Sequence, residues 1–279
     1  APQGNARSLP KHLQKPAAAQ RQSIVLAGCE AHICMLQTAL DLVEDEFEVN
    51  TVLEDLDNLT LNSLEASGLG FRTIAITNGS ICASATLNHD TAGKKITLDF
   101  GAGCTSNGIT RKGKVIFTYT GSFSIPGSSV VTTFQGYEVN GLKVEGTRTI
   151  TNTGINIQNF EITLAVKIQN GKVTWPDGKI SSFITDQVRK ITLGSSGYQA
   201  SVTGTGSGTS KTGISYTASI SEPLIVTQSC VESGISIPNK GKINFSYLSI
   251  IFTVDYGAGE CDKKLTISYP GGVKEMILD

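Results

Sequence analysis

Cys34 is the residue of this chain whose surroundings best suit covalent chemistry. It lies in VLAGCEAHICMLQTALDLVEDEFEVNTVL, residues 25–53, two positions after His32 and within a stretch where Ile33, Leu36, Leu40 and Val43 recur at helical spacing. A thiol at a helix N-terminus has its thiolate stabilised by the helix dipole and by free backbone N–H groups, the usual route to a reactive cysteine. Other candidates are weaker. GITRKGK, from Gly108 to Lys114, has the spacing of a phosphate-binding loop, but Val115 stands where a magnesium-binding hydroxyl belongs and a strand follows instead of a helix. TGTGSGT, from Thr203 to Thr209, reads as a flexible β connection without dinucleotide spacing. The three histidines, His12, His32 and His89, lack metal-ligand spacing. Asp255, Glu260 and Asp262 could crowd a calcium ion, although a plain turn explains them better. Tyr119, Tyr137, Trp175 and Tyr198 suit core positions or cross-strand pairs better than a ligand platform. No cofactor and no metal is expected.

The Cys34 segment closely resembles the nucleophile segment of the isochorismatase-like cysteine hydrolases, the superfamily that includes nicotinamidases. Gly28, Glu30, Ala31, His32, Cys34, Gln37, Thr38, Ala39 and Asp41 match that pattern. The resemblance implies Cys34 as nucleophile for hydrolysis of an amide or enol ether, with a catalytic Asp and Lys supplied from upstream. Residues 1–23 contain no Asp or Glu. The segment therefore reads as a remnant or fusion, inactive by itself, and no catalytic residue is assigned beyond the alternative Cys34.

Residues 54–279 are similar to uncharacterised β-rich envelope proteins and lipoproteins of Bacteroidota. The resemblance rests on ITLDFGAGC, TRKGKVIFTYTG, VNGLKVEGTRTITNTG, NGKVTWPDG and GISYTASISEPL. It implies a cell-envelope or extracellular location and no catalysis.

The elements that must position these residues divide the chain. Residues 1–22 carry Arg7, Lys11, Lys15 and Arg21 without apolar periodicity and read as a basic, mobile tail. Residues 23–70 form a helical lead-in, ended by Ala66-Ser67-Gly68-Leu69-Gly70, with Asp41, Glu44, Asp45 and Glu46 falling largely opposite the apolar stripe. From residue 71 the period becomes two. Asn140-Gly141 and Asn170-Gly171 suit tight hairpins, Trp175-Pro176-Asp177-Gly178 suits a further turn, and Asp-aromatic-Gly-Ala-Gly occurs at Asp99 to Gly103 and again at Asp255 to Gly259. The fold expected is mainly β: an antiparallel multi-stranded sandwich or extended roll with an N-terminal helical segment, a subdomain boundary near 195–225 being left open.

Charge is segregated. Gln22 to Phe71 holds ten acids and no Lys or Arg, although the whole chain is near neutral at −1. No basic patch suggests nucleic acid, and no apolar run reaches the roughly 18 residues that span a membrane. Cys82 with Cys104 and Cys230 with Cys261 flank equivalent strand pairs, suggesting two disulfides and an oxidising compartment. The resulting expectation is an exported, surface-associated, non-catalytic binding or structural module, with an unknown protein or glycan at the cell surface as partner. A cysteine hydrolase using Cys34 is the alternative.

Overall fold

The computed structural model describes residues 29–70, 81–248 and 250–278, with side chains described from Leu36 onward. The basic tail, the first residues of the helical lead-in (23–28) and the start of the period-two region (71–80) lie outside the described residues.

A single long helix, α1 (Cys29–Ala66), precedes the sheet. Its 38 residues give an axis of about 57 Å. It ends where glycine permits: Gly68 takes φ +73°, and the N–H groups of Leu69 and Gly70 both bond the Leu64 carbonyl, at 2.8 and 3.1 Å. The strands then follow in chain order: β1 (Thr86–Asp90), β2 (Lys95–Asp99), β3 (Cys104–Ser106), β4 (Ile109–Tyr119), β5 (Ser129–Val139), β6 (Leu142–Asn156) and β7 (Glu161–Thr174). After them come β8 (Ile180–Gly194), β9 (Gly197–Thr209), β10 (Ser215–Thr227), the short helix α2 (Gln228–Glu232), β11 (Lys240–Tyr247), β12 (Ile250–Ala258), β13 (Lys264–Tyr269) and β14 (Gly272–Ile277).

All fourteen strands belong to one antiparallel sheet whose order follows the sequence, with β3 pairing only to β4. Of the two arrangements left open above, one continuous rolled sheet is the one formed, and it runs unbroken through 195–225. Its curl follows from what the helix touches. Val52, Leu56, Leu59 and Leu64 pack with Ile96, Val115, Val130, Ile150 and Val166 of β2 to β7. Val49 packs with Ile168, Val173 and Phe183 of β7 and β8. Ala39, Leu42 and Val43 pack with Phe245, Val254 and Ile267 of β11 to β13. Arg148 of β6, Tyr198 of β9, Tyr256 of β12 and Leu265 of β13 all line one cavity beside the helix, which a flat sheet would hold too far apart, so the sheet curls around α1, as right-handed strand twist favours in so wide a sheet.

The turns divide instructively. Asn140 and Gly141 both have positive φ and close the β5–β6 hairpin, as expected. Trp175 to Gly178 also turns as expected, the Gly178 N–H donating to the Trp175 carbonyl at 2.9 Å. Asn170-Gly171 does not turn. Asn170 has φ +52°, but the pair sits at a bulge inside β7, where the register against β8 shifts between Ile168 and Gly171. A Cβ at Gly171 would lie 2.6 Å from the Phe183 ring, so the glycine admits Phe183 to the core. The segment 203–209 is likewise strand β9, not a flexible connection: Cβ atoms at Gly204 and Gly208 would each lie 2.2 Å from a carbonyl oxygen of β8. The repeated Asp-aromatic-Gly-Ala-Gly motif builds the same turn twice. Asp99 accepts from the Gly101 N–H at 2.8 Å, and Asp255 accepts from the Gly257 N–H at 2.9 Å. Disulfides Cys82–Cys104 and Cys230–Cys261 fasten the chain just beyond each copy.

Candidate ligand-binding cavity

Glu44 and Glu65 of α1 are exposed, but other acidic residues of the helix turn to the sheet. Asp45 and Asp55 are 4% and 7% exposed, and the sheet supplies their partners. Asp45 accepts from the Lys211 backbone N–H at 3.0 Å and pairs with its ammonium at 3.2 Å. Glu46 accepts from the Tyr216 hydroxyl, and Glu48 from the Trp175 indole. Asp55 accepts from Arg111 Nε at 2.9 Å, from Arg111 Nη2 and from the Tyr137 hydroxyl at 3.0 Å. Asp57 bridges Arg148 of β6 and Arg189 of β8. The charge segregation of the sequence is thus resolved inside the fold: an acidic rod is held by basic and hydroxyl groups lining the sheet that encloses it.

Between α1 and β6 to β13 lies a cavity of about 380 Å³, within the size range of small-molecule sites. Small residues on the inward face of the sheet leave this space. Ala200, Gly204 and Gly206 of β9 and Ala218 of β10 all line it. Strand register fixes one row across the inner face: Arg148 pairs with Ile168, Ile168 with Thr185, Thr185 with Gly206, Gly206 with Ala218 and Ala218 with Phe245. The row therefore carries a guanidinium at one end, an aromatic ring at the other, and the two smallest residue types between them.

Polar groups gather at the helix side of the cavity. Burial, relieved in part by a hydrogen bond with Ser236, pushes the Glu54 carboxyl up to about 7, and Asp57 adds to the rise while Arg189 opposes it. Burial pushes Glu46 up as well, against the Tyr216 hydrogen bond. Burial would raise Asp57 too, but Arg148 and Arg189 outweigh it and hold that carboxyl below the usual range. Burial depresses Arg148 and Asp57 opposes this; a guanidinium stays protonated throughout the ordinary pH range.

The sequence candidates are placed as follows. The Cys34 and His32 side chains lie outside the described residues, but the backbone there is placed. That backbone belongs to α1 (Cys29–Ala66). GITRKGK forms the β3–β4 turn and the start of β4. Asp262 accepts from the Lys264 N–H at 3.0 Å and Glu260 from the Ala258 N–H at 3.2 Å, and no group of three metal-ligating side chains occurs among the described residues. Of the four aromatics, Tyr198 lines the cavity; Tyr137 bonds Asp55, Tyr119 bonds His89 at 2.8 Å and Trp175 bonds Glu48. Sequence reasoning missed Arg111 and Arg148. The available signal was parity: each occupies a strand position in phase with buried apolar residues, Arg111 with Val115 and Phe117, Arg148 with Val144 and Ile150.

Comparison with known proteins bears on the N-terminal part of the chain alone. Residues 7–56 match the isochorismatase domain family. Isochorismatase family protein 2A of Dictyostelium discoideum is 52% identical over 31 residues, 11% of this chain and 16% of that protein. The secreted isochorismatase effector Isc1 of Phytophthora sojae is 42% identical over 41 residues, 15% of this chain and 20% of that protein. The chain thus spans a fifth or less of the curated relatives it matches. No solved structure matches. The family match leaves the β body outside it, and neither relative supports the likeness to Bacteroidota envelope proteins. No helix among the described residues is long and apolar enough to cross a membrane.

Proposed function

We propose that this chain is an exported, non-catalytic binding protein that holds a small ligand between α1 and its enclosing sheet. The observation that carries this reading is the use made of the isochorismatase-like segment. Its apolar residues Ala39, Leu42, Val43, Val49 and Val52 are committed to the core of the β body, and the same helix forms one wall of the cavity. In this fold the segment serves as an internal strut. Export is supported by the two disulfides and by the secreted character stated in the name of the Phytophthora relative.

A second reading, a cysteine hydrolase acting through Cys34 on an amide or enol ether, is favoured by the family match over residues 7–56. Peptide-resolved thiol labelling at about pH 6.5, before and after unfolding and with and without reductant, separates the two. Slow native labelling of Cys34, with the four paired cysteines labelling only after reduction, is the expected result. Rapid labelling of Cys34, abolishing a measurable amidase activity, would replace the binding reading with the hydrolase.

A further inference from the structure

Among the described residues, Arg148 is the least reconciled polar group. It is 2% exposed and lines the cavity, and its Nη2 reaches Asp57. Its Nε and Nη1 are buried with no hydrogen-bond partner among the described residues. The Thr185 hydroxyl, two strands along the same row and also on the cavity wall, is buried and unpartnered too. A buried guanidinium with two idle nitrogens is strongly destabilising unless an acceptor arrives. Asp57 is already divided between Arg148 and Arg189, so while Glu54 is protonated, below pH about 7, one positive charge is left unbalanced at this end. The rest of the row offers only apolar contact, across Gly206 and Ala218 to Phe245.

We propose that the cavity binds an amphipathic monoanion, an aliphatic chain ending in a carboxylate, with Arg148 holding the carboxylate and the chain lying over the small residues of β9 and β10. This deepens the binding reading above and rests on it. A cation is disfavoured because it would leave the idle donors unmatched; the carboxyl groups of Glu46 and Glu54 already have Tyr216 and Ser236 as partners. A neutral apolar molecule would fill the space and leave the arginine unsatisfied.

The test is calorimetric titration of the full chain at about pH 6, where Glu54 is mainly protonated, with dodecanoate, dodecanol and dodecylamine, all monomeric. Dodecanoate is expected to bind one to one, about tenfold or more tighter than dodecanol, the difference a charge-assisted hydrogen bond makes. Arg148→Met is expected to bring dodecanoate down to the dodecanol affinity. Ala200→Leu combined with Ala218→Leu, which fills the cavity without touching charge, is expected to weaken both. Should Arg148→Met fail to fold, the headgroup series on the natural sequence and the filled variant still decide. Equal affinities for dodecanoate and dodecanol, or tighter binding of dodecylamine, would overturn the anion inference and leave the binding reading intact. Absence of binding by all three would overturn the inference as well. Rapid labelling of Cys34 with amide turnover, not any result here, is what removes the non-catalytic reading.

Discussion

Asp55 of the central helix and Arg111 of the fourth strand form a buried, two-pronged ion pair, with the guanidinium 1% exposed. The Phe100 ring lies 5.9 Å from the Arg111 carbon, and Tyr137 donates to the same carboxylate, so the pair is enclosed on several sides. Burial alone would depress the arginine, but Asp55 more than compensates and raises it. A pair of this kind gains little over a well-packed apolar substitute, but losing one partner strands a charge.

Asp55→Asn should therefore destabilise the fold by about 3–5 kcal/mol. Asp186→Asn, which breaks the exposed Lys167 pair, should cost about 0–1 kcal/mol. Urea unfolding of the two variants makes the comparison. Equal midpoints would show that Asp55 and Arg111 do not anchor the helix to the sheet.

Glu54 gives the protein a pH-dependent stability. Its neighbours are Asp57 on the same helix, Arg189 on β8, Tyr198 on β9, Ser236 after α2 and Tyr256 on β12. With the folded carboxyl raised from 4.5 to about 7, the folded state holds a proton that the unfolded state has released across that interval. Stability then falls as pH rises from about 4.5 to about 7 and levels above it, by a total of about 3 kcal/mol. Asp57, held low, works in the opposite sense and at lower pH, below its ordinary 3.8. Glu54→Gln should match the natural sequence near the acid end and exceed its stability at pH about 8. Parallel stability curves for the two proteins would refute the assignment.

The Cys230–Cys261 disulfide ties α2 to the turn after the second Asp-aromatic-Gly-Ala-Gly copy, across 31 residues. Replacing both cysteines by Ala should cost about 2–4 kcal/mol, most of it through the freer unfolded chain. Thermal unfolding of the double variant beside the oxidised and reduced natural protein provides the measurement. A reduced protein whose thiols are counted as free but whose midpoint is unchanged would rule the disulfide out as a stabilising tie.

The sequence by itself determined the class of fold and most of its local geometry. Period-two runs specified strands because alternate side chains face opposite sides of a sheet, and Asn140-Gly141, Trp175 to Gly178 and the two Asp-led glycine turns specified chain reversals through local φ preferences. It also exposed the charge segregation and the two cysteine pairs. Asn170-Gly171 marks the limit of such reasoning. Its positive φ is a local property, but whether that bend closes a hairpin or makes a bulge depends on where Phe183 of the next strand must fit. Only the tertiary structure decided that Asp45, Glu46, Asp55 and Asp57 of α1 face the sheet. A helical wheel assigns one face to water, whereas a sheet curled around the rod buries several faces at once and brings Arg111, Arg148 and Arg189 to Asp55 and Asp57 over sequence separations of 56 to 132 residues. The cavity arises in the same way, from Ala200, Gly204, Gly206 and Ala218 meeting across two strands, because empty space belongs to the packing of several elements and to none of them singly.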